Sequence, residues 1–73
     1  MVDPQDHPGN YTKEAFLDDM EEFMARTGMK PTNLSIFSMG ERNFVQYVRM
    51  GRAPKPHTMD KVRKWMAEFE VQP

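Results

Sequence analysis

The chain has 73 residues, 38% of them hydrophobic and 29% charged, with no cysteine and a net charge of −1. That length suits one small domain; it leaves no disulfide framework or thiolate zinc site and no run near the ~20 apolar residues of a membrane span. The near-neutral total hides a division, because residues 1–28 carry net −5 and residues 29–73 carry net +4. Either the second half offers a basic surface to a polyanion, or the two halves form solvated faces of opposite sign.

Residues 1–11 read as a flexible N-terminal segment, with Pro4, Pro8, Gly9 and a solvated His7. They lack the basic start and apolar run of a signal peptide. The first helix is expected over Thr12–Thr27. Thr12 is a good N-cap, and Tyr11 and Phe16 have the spacing of a hydrophobic staple. Phe16, Leu17, Met20, Phe23 and Met24 form one buried face. Glu14, Asp18, Glu21 and Glu22 fall opposite, and Gly28 supplies the stop. Most of the eight methionines sit at such core spacings and read as adaptable core filling.

A short second helix is expected over Pro31–Ser38, opened by Pro31, with Leu34 and Phe37 inward. Met39-Gly40 makes a tight turn, and a third helix follows at once over 41–50, closed by Gly51. In a helix of about 100° per residue, Phe44, Val45 and Val48 share one face. Arg42, Asn43, Gln46 and Arg49 share roughly 120° of the other face. Arg, Asn and Gln are the side chains that pair with guanine and adenine edges in the major groove. The bland alternative is an ordinary solvated helix face. The glycine brackets and the tight join, which marks a helix-turn-helix rather than two unrelated helices, favour reading of bases. Glu41 would repel phosphates, accept from a cytosine amino group, or stabilise the helix N-terminus.

Arg52-Ala-Pro-Lys-Pro-His57 reads as an extended connection stiffened by two prolines. Thr58 is the expected cap of a fourth helix over Met59–Phe69, striped by Val62, Trp65, Met66 and Phe69. The domain then spans 12–70, with 71–73 as a C-terminal tail. No strand pattern or internal repeat is present.

Catalytic signals are absent. Ser35, Ser38 and Thr58 have no base partner, Asp18 and Glu22 read as a solvated face, and His7 and His57 alone cannot close a zinc site. No metal, cofactor, small-molecule substrate or enzymatic activity is expected.

The order of pieces Thr27-Gly-Met-Lys-Pro-Thr-Asn-Leu, Met39-Gly-Glu-Arg-Asn-Phe-Val-Gln-Tyr-Val-Arg-Met-Gly-Arg, Pro54 and Thr58-Met-Asp-Lys-Val resembles the lambda-repressor-like, XRE-type helix-turn-helix family. It looks most like short bacterial and prophage members. The resemblance covers about residues 12–69 and implies an all-α, four-helix domain whose third helix enters the major groove. By position it implies that Arg42, Asn43, Gln46 and Tyr47 face bases, and that Asn33, Arg49, Arg52 and Lys55 hold phosphates.

The expected function is therefore a cytoplasmic, sequence-specific regulator of transcription, in the first instance a repressor, that binds double-stranded DNA. One helix reads few base pairs, so a homodimer on an inverted repeat is expected, its reading helices roughly 34 Å apart. Trp65, Phe69 and Val71 are its expected interface. The alternative is a phage or mobile-element interaction module that binds a protein through the acidic face of the first helix.

Overall fold

A computed structural model describes residues 11–71. The lead-in with His7 and the last two residues of the tail lie outside the described residues. The described chain is all-α, with α1 (Lys13–Thr27), α2 (Pro31–Met39), α3 (Phe44–Arg49) and α4 (Pro56–Val71).

The first helix is built from local signals. The Thr12 side chain accepts from the Ala15 N–H at 3.1 Å, which satisfies one of the orphan donors of the first turn. Gly28 takes a left-handed conformation at φ 74° and returns its N–H to the Met24 carbonyl, the stop that a residue without a Cβ makes at low cost. Between these caps Phe16, Met20, Phe23 and Met24 are buried. Leu17 is only partly buried and packs against their cluster.

The second helix departs from expectation in its buried face. Leu34 is inward, but its partners are Ser35 and Ser38, while Phe37 is 58% exposed. The serines bury cheaply because each hydroxyl donates back to a carbonyl four residues earlier. Ser35 Oγ bonds Pro31 O and Ser38 Oγ bonds Leu34 O, both at 2.7 Å. Their small volume leaves room for α3, against which α2 packs. Lys30 stands at the N-cap of α2 without a side-chain cap bond.

The third helix is shorter than expected. It starts at Phe44 rather than Glu41 and ends at Arg49 rather than Met50. Gly40, at φ 71°, caps α2 by donating to the Ile36 carbonyl. The glycine that looks like the opening bracket of α3 therefore closes α2, and residues 41–43 form the connection. Phe44, Val45 and Val48 are buried, as expected.

The fourth helix begins at Pro56, two residues before Thr58. A proline has no N–H to leave unsatisfied and its φ already suits a helix, so it opens a helix well; Thr58 lies within the first turn instead of capping it. Met59, Val62 and Met66 are its buried residues.

The four helices enclose one apolar cluster. Phe16, Met20, Phe23, Leu34, Val45, Val48, Met59 and Val62 are all at most 1% exposed. Each such aliphatic or aromatic side chain contributes about 1.5–3 kcal/mol on burial. Aromatic side chains of α4 extend the cluster toward the surface beside α1. Phe23 meets the rings of Trp65 and Phe69 edge-on, and Trp65 stacks on Phe69 with centroids 5.4 Å apart.

Candidate nucleic-acid interface

The α2–α3 pair is locked by a bond that joins two backbones through a side chain. Ser35 Oγ, buried in α2, accepts from the Val45 N–H at 3.0 Å. That N–H belongs to the first turn of α3 and has no partner within its own helix. Ser35 therefore caps α3 from the neighbouring helix and ties the two together. The backbone supports the short helix further. Tyr47 N–H bonds Asn43 O at 2.9 Å, and at the exit Arg52 N–H bonds Tyr47 O at 2.9 Å.

On this base the expected base readers are placed differently from a single helical face. Arg42 and Asn43 lie on the turn ahead of α3, Asn43 at its N-cap position without a side-chain cap bond. Gln46 lies on α3. All three are exposed, and Tyr47 is half-buried. The Tyr47 ring lies under the Arg52 guanidinium, 4.6 Å from centroid to Cζ, within cation–π range. The turn and the first turn of α3 thus carry an arginine, an asparagine and a glutamine, all toward solvent.

The expected phosphate cations divide into engaged and open groups. Arg49 makes two hydrogen bonds to Glu21 of α1, at 2.6 and 2.8 Å. This pairing holds the Glu21 carboxyl below its ordinary range and the Arg49 guanidinium above its own. Arg52 bonds Glu41 at 3.0 Å. Lys55 is exposed and, like Lys30, Arg42, Lys61 and Lys64, has no carboxylate partner among the described residues. Asn33 is exposed, about 160° around α2 from Ser35 by helical geometry. It shares the strip of α2 that carries Phe37, not the strip that meets α3.

The acidic first half and the basic second half are joined across helices. Glu21 pairs with Arg49 of α3, and Asp19 with Arg63 of α4 at 2.7 Å. Arg26 lies between Glu22, 2.7 Å away, and Glu70 of α4, 2.9 Å away. Each pair is solvent-accessible and adds little stability alone, commonly below about 1 kcal/mol. Together they neutralise much of the α1 face. Asp18 stays exposed and unpaired among the described residues. The shallow groove between α1 and α4 is bridged by these Arg26 and Arg63 pairs.

Sequence reasoning missed Ser35. Its signal was available, as Ser35 and Ser38 both follow Leu34 at spacings that fall on the Leu34 side of a helix.

The expected interface residues are also separated. Trp65 is half-buried, Phe69 is 39% exposed and Val71 is 79% exposed. Trp65 and Phe69 lie about 40° apart around α4, whereas Val71 lies about 160° from Phe69. No described helix is long and apolar enough to cross a membrane. No family model, no curated protein and no solved structure matches the chain.

Proposed function

We propose that this protein is a sequence-specific double-stranded DNA-binding regulator of the lambda-repressor-like helix-turn-helix type, acting in the cytoplasm as a repressor. Its reading surface is the turn before α3 together with the first turn of that helix. Arg42, Asn43, Gln46 and Tyr47 meet base edges, Lys55 meets a phosphate, and Arg49 and Arg52 reach phosphates by exchanging Glu21 and Glu41 for them. The mechanism is occupancy of an operator. Phosphate contacts give affinity and register, and contacts to base edges give sequence. One such surface spans few base pairs, so two copies related by a two-fold axis act on an inverted repeat.

The observation that carries this reading is the Ser35–Val45 bond. It ties the α3 backbone to α2, and Arg42, Asn43 and Gln46 are exposed on the turn and helix so anchored. Base readout needs side chains held by a scaffold that does not yield, because a misplaced bidentate contact loses its discrimination of about 1–3 kcal/mol.

A protein-interaction role would require an open acidic face on α1. Three carboxylates of that helix, Asp19, Glu21 and Glu22, already hold arginines, so no observation favours it. Selection of bound sequences from random duplex DNA tests the proposal. An enriched inverted repeat is expected, and no enrichment over several rounds at low salt would refute it.

A further inference from the structure

We propose that a second copy of this chain packs on the outward aromatic face of α2 and α4, with the two α4 helices antiparallel about a two-fold axis beside Trp65. The inference rests on the two-fold assembly of the proposed function and names its surface.

The first observation is the ridge itself. Phe37 of α2 and Trp65 of α4 lie with ring centroids 6.1 Å apart, and Trp65 continues to Phe69 at 5.4 Å. Phe37 is 58% exposed and Phe69 39%. These three adjoining aromatic side chains form a contiguous apolar surface, in which Trp65 and Phe69 rest on buried Phe23 and Phe37 leans on Trp65. Aromatic side chains are enriched at the cores of protein interfaces. The ridge is a single unit drawn from two helices, and Phe37 belongs to it although its spacing alone suggests a core position.

The second observation is charge. Lys61 and Glu68 are both exposed, and neither has an ion-pair partner among the described residues. At about 100° per residue they lie within about 20° of each other around α4, beside Trp65. Along the helix they stand on opposite sides of Trp65, four residues before it and three after. A two-fold axis perpendicular to α4 and passing beside Trp65 reverses the helix direction but keeps each side strip facing its own copy. Lys61 of one copy then meets Glu68 of the other, twice. A two-fold contact requires a patch complementary to itself. An apolar centre flanked by opposite charges at nearly equal distances meets that requirement.

The third observation is position. On α2 the strip carrying Phe37 lies about 160° from Ser35, the residue that meets α3. A copy seated on the ridge leaves Arg42, Asn43 and Gln46 uncovered. Val71 lies outside this surface, about 160° around α4 from Phe69.

The test is sedimentation equilibrium of the full chain without DNA, over a range from about 1 μM to 1 mM, the span in which interfaces of modest area are populated. A monomer–dimer equilibrium is expected for the parent. Lys61→Glu places like charges opposite each other and should raise the dissociation constant at least roughly tenfold. The double swap Lys61→Glu with Glu68→Lys should restore it. Phe37→Gln should also weaken the dimer at least roughly tenfold, as loss of an interface aromatic does, whereas Val71→Gln should leave it unchanged. All four changes fall on exposed side chains, and circular dichroism confirms the fold. Should Phe37→Gln lose helicity, the charge swap decides. A parent that is monomeric throughout, a Lys61→Glu variant that dimerises like the parent, or a swap that fails to restore dimerisation would each overturn the proposal. The measurement contains no DNA, so its failure leaves the base-reading surface standing, and failure of DNA selection leaves a measured dimer standing.

Discussion

The Ser35 hydroxyl donates to the Pro31 carbonyl at 2.7 Å and accepts from the Val45 N–H at 3.0 Å, so that one buried oxygen ties the backbones of α2 and α3 together. Among the described residues, no other buried side chain of α2 hydrogen-bonds the α3 backbone. The bond adds a directional tie to the core packing of Phe44, Val45 and Val48, which holds α3 in place.

Ser35→Ala should therefore destabilise the fold. It leaves the Val45 N–H buried without a partner, a loss of about 1–3 kcal/mol. The shift of the urea midpoint at constant m-value measures it. DNA selection on this variant should also return a blurred operator, because α3 loses this tie to α2. An unchanged midpoint would show that Val45 finds another acceptor.

The base readers offer a sharper test. Arg42, Asn43 and Gln46 are exposed, so alanine at any of them should leave helicity and melting temperature nearly unchanged. Each replacement should cost about 1–3 kcal/mol on the selected site and relax preference at one or two base pairs. The structure adds an order to this. Arg42 and Asn43 stand ahead of α3 and should affect neighbouring positions of the operator, with Gln46 one helical turn further on. Three variants that bind like the parent would exclude this surface as the reader.

Much of this is legible in the sequence, and each exception has its own physical reason. For α1 the cap at Thr12, the stop at Gly28 and the apolar face sit within one helix, where local chemistry dictates the outcome. The all-α architecture and the buried Phe44, Val45 and Val48 follow from the same kind of signal. The inner face of α2 differs from expectation because hydropathy ranks Phe37 above Ser35, while packing against α3 needs a small side chain that can satisfy its own hydroxyl. The start of α3 differs from expectation because Gly40 fits either the end of one helix or the beginning of the next. In α4 the cap signal of Thr58 competed with Pro56, and the proline opened the helix. The charge division was visible, but its resolution was not. Glu21 and Arg49 are 28 residues apart, and Asp19 and Arg63 are 44 apart, so only the fold brings them together.

The cations should separate in salt titrations. Each phosphate contact that is lost flattens the slope of log affinity against log salt by roughly one unit. Lys55, which has no carboxylate partner among the described residues, should show the full change on replacement by alanine. Arg49 and Arg52 must first leave Glu21 and Glu41, so their net contribution should be smaller. Correspondingly, Glu41→Gln should tighten binding to specific and random DNA alike, and that gain should vanish in an Arg52→Ala background. Equal slopes for the parent and the Arg49, Arg52 and Lys55 triple variant would remove all three from the interface.

The Glu21–Arg49 pair also gives a pH dependence with a defined sign. The Arg49 hydrogen bond lowers the Glu21 pKa from its ordinary 4.5. A carboxyl whose folded pKa is depressed contributes stability that is complete above its unfolded value and is lost as pH falls through the folded value. The parent should therefore exceed Glu21→Gln in stability at pH 6–7, by a small margin because the pair is solvent-accessible. That margin should shrink below pH about 4.5 and disappear once Glu21 is protonated in the folded state. Urea midpoints of both proteins, taken in steps from pH 7 to pH 2.5, measure it. The Arg26–Glu70 pair depresses Glu70 in the same direction, so the comparison is made as a difference between parent and variant, in which the contribution of Glu70 cancels. A margin that stays constant across this range, or grows as pH falls, would show that Glu21 and Arg49 are not paired in solution.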